Sequence, residues 1–292
     1  MKKLFFVAMI TIMVMISLTF VSCKEEAKED NTIVIMSYNI KITSLLDIDN
    51  NELALINRYP RLKDKIDSYS PDIFGMQEAG ERHMEYFAAD YSDVYDYVVT
   101  YRTDSSVLFT VAESTPIFYK KAKFELLDSG TFWLSATPDI MSKGWDANNY
   151  RVCTYVQLKL KATGQVFYVY NTHLDFGQIS VPESVALIKA RMNLEYPCIL
   201  IGDFNFTPVT SYYTSITEHL EDSRLVAPIT MPDTSTINGF SNNYQGKVID
   251  YCFLSKGNFE VSKYEVSNND IEEYGSYASD HFAVIAYITI KE

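Results

Sequence analysis

Apolar runs that end on short polar blocks recur along this 292-residue chain. Residues 33–36 lead into Ser37-Tyr38-Asn39, 73–76 into Gln77-Glu78, 166–170 into Asn171-Thr172-His173-Leu174-Asp175, and 198–201 into Gly202-Asp203-Phe204-Asn205. Ile249-Asp250-Tyr251 and Ser279-Asp280-His281 are set against strand-like apolar runs in the same way. Continuous apolar strands are buried on both faces, so their polar ends converge at a sheet edge. The pattern predicts strands over 33–39, 73–78, 151–160, 166–171 and 199–203, alternating with helices over 58–68, 80–89 and 182–194, which makes the chain α/β. No repeat or low-complexity segment interrupts it, and residues 32–292 read as one domain with ample core. The aromatics, 14% of the chain with 22 Tyr, are core residues by default. Tyr95, Tyr97 and Tyr101 fit packing on a strand face first and ligand stacking second.

Each polar block alone has an ordinary explanation, because Asp, Asn and Ser cap helices and make turns. The set is more selective. It places carboxylates, amides and imidazoles, with no lysine among them, where strands end, and that composition suits a hard divalent cation with oxygen ligands. Of the four histidines, His83 and His219 lie in polar, helix-like stretches and read as solvated. The chain has neither His-x-x-x-His nor Cys-x-x-Cys, which argues against zinc.

Taken together, these motifs resemble the endonuclease/exonuclease/phosphatase superfamily, from Asn39 to His281. The resemblance implies a four-layer β-sandwich flanked by helices. It also implies that Asn39, Glu78 and Asp280 serve a metal, Mg²⁺ or Mn²⁺, and that His173 binds phosphate. Asp203 and Asn205 stand in the Gly-Asp-Phe-Asn signature, and Asp250 resembles the carboxylate that orients the last histidine, His281. Arg151 matches a position that holds substrate phosphate in some nucleases. One departure is Val248, where family members often carry an arginine before the Ile-Asp-Tyr block.

Phosphoester hydrolysis explains why such residues belong together. The substrate is anionic, and negative charge grows on its oxygens in the transition state, so something positive must face them. A cation held by Glu78, Asn39 and Asp280 would act as a Lewis acid. Asp203 would orient or deprotonate the attacking water, while Asn205 and His173 donate to phosphoryl oxygens. Asp250 would raise the basicity of His281 and keep it a cationic donor.

Substrate identity is not written in these motifs. A phospholipid or sphingomyelin phosphodiesterase would share every residue named but needs an exposed apolar hairpin to reach lipid. A sugar-phosphate or inositol phosphatase needs extra Lys or Arg beside the site. A noncatalytic surface-binding lipoprotein would keep the fold without the metal set.

At the start of the chain, Lys2-Lys3 precedes a largely apolar run from 4 to 21 that closes on Ser22-Cys23. This is the pattern of a secretion signal over 1–22, with Cys23 as a lipidated cysteine and 23–31 as an acidic tether. The expected setting is the cell envelope, with the membrane as a partner through the lipid anchor and the protein a monomer. The formal net charge of −13 would become −15 once Lys2 and Lys3 are removed, a balance that opposes nonspecific nucleic-acid binding. Cys153, Cys198 and Cys252 lie inside strand-like runs, and three is odd, so at least one is expected to be a free, buried thiol.

Overall fold

The computed structural model describes residues 31–43, 54–104, 112–231, 235–242 and 246–292. The predicted signal, Cys23 and most of the tether lie outside the described residues. Among the described residues, no helix is long and apolar enough to cross a membrane.

Two large sheets make up the body, beside a small ribbon that pairs Ala79–Gly80 with Glu113–Ser114. One holds seven strands in the order Thr230–Met231, Phe259–Val266, Val284–Ile290, Ile33–Asn39, Ile73–Gln77, Ile117–Lys120, Tyr95–Val98. The other holds six: Leu220–Asp222, Asp250–Ser255, Cys198–Asp203, Val166–His173, Val152–Leu160, Phe124–Trp133. Their inner faces share one apolar core that includes Ile35, Ile73, Val169, Ile201, Leu254 and Val284. A second core lies between the six-stranded sheet and the helices Ser180–Arg191 and Ser211–Thr217. A third lies between the seven-stranded sheet and the helices Leu55–Tyr69 and Glu81–Tyr91. Helix, sheet, sheet, helix is the expected four-layer sandwich.

In both sheets the central strands pair in parallel, Ile33–Asn39 with Ile73–Gln77 and Val166–His173 with Cys198–Asp203. Their carboxyl ends therefore leave the two sheets on the same side as their partners'. The sheets approach closely there: a Cβ on Gly75 would lie 2.6 Å from the Ile201 Cδ1 and 2.7 Å from the Asn171 side chain. Asn171 uses that space to cross between sheets. Its Nδ2 donates to the Met76 and Pro116 carbonyls at 2.8 Å each, and its Oδ1 accepts from the Gln77 Nε2 at 2.7 Å.

The predicted helix over 58–68 starts earlier, at Leu55, and runs through Pro60. Leu55, Leu62 and Ile66 recur at helical spacing and bury one face, which outweighs the backbone hydrogen bond that the proline removes. A buried Arg58 on this helix donates to the carbonyls of Ile40, Lys41 and Ala278. It thereby ties down two loops that carry polar blocks. The strand Phe124–Trp133 was not predicted, because it is a half-solvated edge with a register shift between Leu126 and Asp128. Tyr95 and Tyr97 pack: the Tyr95 hydroxyl donates to the Pro71 carbonyl at 2.6 Å, and the Tyr97 ring stacks on Phe118 at 4.9 Å. All three described cysteines are free and buried. Burial pushes the Cys198 and Cys252 thiols up to about 12, so they are inert packing groups.

His83 corrects the sequence reading. It is 1% exposed, and its Nδ1 accepts the Gly80 N–H at 3.3 Å at the start of the helix Glu81–Tyr91. Burial, with the Arg58 cation nearby, pushes its pKa down to about 3. An unfolded chain takes a proton at its ordinary value of 6.5, whereas the folded chain refuses it until about 3. Stability present above the unfolded value is therefore lost as pH falls, by up to about 1.4 kcal/mol per pH unit. Between pH 7 and 5, wild type should lose on the order of 2 kcal/mol more than His83→Gln in urea unfolding. Parallel losses in the two proteins would contradict the assignment.

Candidate active site

Strand pairing sets three polar groups side by side. Asp203 ends its strand with His173 as its parallel neighbour and Asp250 as its antiparallel one. Asp203 is buried, and its Oδ2 accepts the Asn39 Nδ2 at 2.9 Å from across the sandwich. The same oxygen lies 3.5 Å from the His173 Nε2 and 3.7 Å from the His281 Nε2. Its Oδ1 accepts the Asn205 N–H at 2.9 Å. Burial and the neighbouring Asp250 push the Asp203 pKa up to about 7. Gly202 permits this packing, since at φ 154° a Cβ there would sit 2.2 Å from the Thr172 carbonyl oxygen.

His281 lies against Asp250, with its Nδ1 3.0 Å from the Asp250 Oδ2. Burial works against the imidazolium, but Asp250 and Asp203 outweigh it and push its pKa up to about 10. His173 has the opposite environment. Burial, reinforced by the Arg151 and Arg102 cations, holds it well below the ordinary imidazole value. One histidine of the site is thus cationic and the other neutral.

Glu78 stands one residue beyond its strand with φ 60°, and Asn205 has φ 55°. Both are in the left-handed region that side chains rarely adopt, a strain that clusters at functional sites. The Glu78 carboxylate accepts the Asn39 Nδ2 at 3.2 Å and the Ile42 N–H at 2.9 Å. Lys41, also left-handed at φ 57°, reaches the Asp280 Oδ2 at 3.0 Å and the Glu78 Oε2 at 3.8 Å. Burial raises the Glu78 pKa, but Lys41 and those hydrogen bonds bring it below the ordinary carboxylate value.

Two sets of residues are therefore candidates for a cation. Asp203, Asp250 and His281 offer ligand atoms within 4.8 Å of one another. The hydrogen bond between the His281 Nδ1 and Asp250 already accounts for the contact within that cluster. Glu78, Asn39 and Asp280 fit a hard divalent cation better. They present oxygen donors, and the two carboxylates draw the Lys41 ammonium between them, a natural stand-in for positive charge.

Beside Glu78 and His173 a cleft is lined by Arg102, Arg151, Glu113, Ser114 and Thr115. Arg102 donates to Glu113 at 2.7 Å, and the Arg151 Nε donates to Asp175 at 3.3 Å. Asp175 is buried and also accepts backbone N–H groups from Asn148, Asn149 and Phe176. Every residue singled out in the sequence for chemistry at strand ends thus lies around one site, together with Arg151. Lys41, Arg102 and Glu113 were missed. Lys41 follows Asn39 by two residues and could have been suspected from that spacing, whereas Arg102 and Glu113 carry no local signal.

Comparison with solved structures places this arrangement among relatives. A protein of Bacteroides thetaiotaomicron described as an endonuclease/exonuclease/phosphatase family protein is 30% identical, covering 89% of this chain and 98% of its own, with a TM-score of 0.79. A mannosyl-6-phosphatase of Bacteroides thetaiotaomicron VPI-5482 is 30% identical over 88% of this chain and 99% of its own, at 0.78. The human nocturnin catalytic domain, at 19% identity over 89% of this chain and 94% of its own and a TM-score of 0.67, shares the fold. No curated protein sequence matches. The profile of the endonuclease/exonuclease/phosphatase family matches residues 36–281, nearly the whole body built above, and the chain belongs to that family of phosphoester hydrolases.

Proposed function

We propose that this protein is a divalent-cation-dependent phosphomonoesterase acting on sugar phosphates. The observation that carries the reading is the pair Arg102 and Arg151 in the cleft beside Glu78 and His173. A monoester dianion has one more negative oxygen to satisfy than a diester, and planar guanidinium groups match phosphate oxygens in pairs. The similarity to a mannosyl-6-phosphatase supports the same choice.

Glu78, Asn39 and Asp280 would hold Mg²⁺ or Mn²⁺, which supplies Lewis-acid charge beside the phosphoryl group when bound. The protein groups divide the remaining work. Asp203, with a pKa near 7, has the basicity to orient and deprotonate a water. Neutral His173 donates one hydrogen bond to phosphate. Asn205 gives one amide hydrogen to the Leu174 carbonyl and keeps its second for the substrate. The His281 imidazolium, fixed by Asp250, donates where negative charge develops.

The test is a cation-supplemented panel of mannose 6-phosphate, inositol phosphate, bis-p-nitrophenyl phosphate, DNA, RNA and sphingomyelin. Sugar monoesters should lead the panel, and Arg102→Gln should lower their kcat/KM by about tenfold or more, about 1.4 kcal/mol. A preference for a diester, or an unchanged Arg102→Gln enzyme, would overturn the reading.

We further propose display on the cell envelope through a lipid on Cys23. The motif at 20–23 supports it. Cys23→Ser should then abolish incorporation of labelled palmitate, and unaltered labelling would exclude the anchor.

A further inference from the structure

A second cavity adjoins the site, between the segment 175–181 and the segment 205–212. Asn205, which the proposed function sets against the phosphoryl group, lies in its lining, so the cavity is next to that position. It has a volume of about 470 Å³, far more than the arginine cleft. That is ample for an organic group of several rings.

Aromatic rings define its walls. Phe176 is 68% exposed and is the one exposed phenylalanine among the described residues. Its backbone is nonetheless pinned, because its N–H donates to the buried Asp175 at 2.8 Å. Phe206 and Tyr212 also line the cavity, with ring centroids 5.9 Å apart at 57°. Gln178 and Thr207 add amide and hydroxyl groups to the lining. Among the lining residues the charged groups are Asp175, committed to Arg151, and Lys247.

Flat apolar walls with neutral hydrogen-bonding groups suit rings that have apolar faces and hydroxyl edges. A nucleic-acid strand brings a phosphate with each residue and needs a cationic track, which one lysine does not provide. We propose that this cavity binds the neutral glycan part of the substrate, with Phe176 as its stacking platform, so that the enzyme prefers a terminal phosphate on an oligosaccharide to a free sugar phosphate. The proposal rests on the phosphomonoesterase reading for turnover but not for binding.

The experiment compares wild type, Phe176→Ala and Phe176→Trp on three monoesters: glycerol 3-phosphate, mannose 6-phosphate, and mannotriose phosphorylated on its terminal O6. A 5′-phosphorylated trinucleotide and phosphatidic acid serve as rivals. Wild-type kcat/KM should be highest for the phosphorylated trisaccharide. Phe176→Ala should lower that value about tenfold, the scale of one lost stacking contact, and leave glycerol 3-phosphate within about twofold. Phe176→Trp should restore it. Equal losses on all three monoesters, or preference for the trinucleotide or the lipid, would overturn the proposal. Binding of unphosphorylated mannotriose, read by saturation-transfer NMR, separates the two claims. If no monoester is hydrolysed, the phosphatase reading fails; mannotriose binding that Phe176→Ala abolishes would still uphold the glycan site, and absent binding would remove it.

Discussion

Glu78→Gln is expected to leave the fold intact and reduce phosphoester hydrolysis at least about a thousandfold, roughly 4 kcal/mol of transition-state stabilisation. An amide has the same shape and keeps one of the two acceptor oxygens, enough for the Ile42 N–H that Oε2 now accepts, while the Asn39 amide loses the Oε1 acceptor but keeps its bond to Asp203, so local packing survives. What it loses is the negative charge that, with Asp280, draws a cation into this corner. Divalent-cation affinity measured by calorimetry should fall with activity while the circular dichroism spectrum stays unchanged. Near wild-type turnover in Mg²⁺ would mean that the cation is held elsewhere, and the Asp203, Asp250, His281 cluster would be the place to look.

The second large effect concerns the Asp250–His281 pair, in which geometry rather than charge count is decisive. Asp250 fixes the ring through Nδ1 and, with Asp203, outweighs the burial that would otherwise discharge it. Asp250→Asn and His281→Ala should each cut kcat/KM by about a hundredfold or more. The double variant should be little worse than His281→Ala alone, because the carboxylate acts through the imidazole. Each tenfold step is about 1.4 kcal/mol, so such a cycle resolves the coupling well above its error. Additive losses in folded variants would show that the two residues act independently.

These two expectations rest on residues that the sequence already exposed, and the reason is topological. Asp203, His173 and Asn39 end continuous apolar strands, so their burial and convergence follow from the strand pattern once parallel pairing is assumed. Asp250 follows because its strand is the antiparallel neighbour that completes the row, and His281, just ahead of the strand Val284–Ile290 of the other sheet, meets it there. Arg102 and Glu113 were illegible for a different reason: they meet through a loop and a two-residue strand whose course no periodicity encodes, and an isolated charged residue ordinarily faces solvent. His83 failed in the opposite sense. Its neighbours Glu81 and Arg82 are exposed, so a polar helical stretch concealed an inward-facing imidazole beside Arg58. The edge strand Phe124–Trp133 escaped because half-solvated strands lack the apolar continuity that marks central ones. Phe176 directly follows the Asn-Thr-His-Leu-Asp block, but nothing in the sequence marks it as exposed or as sharing a cavity with Phe206 and Tyr212.

The central claim is that Glu78, Asn39 and Asp280 hold a divalent cation for hydrolysis of a sugar phosphomonoester. It is tested most directly by following phosphate release from mannose 6-phosphate with EDTA-treated protein as Mg²⁺ or Mn²⁺ is titrated back. Release should be absent in EDTA and return saturably with the cation in wild type, and it should not return in Glu78→Gln at any cation concentration that leaves the protein folded. Steady release in EDTA, or equal recovery in the two proteins, would contradict the account.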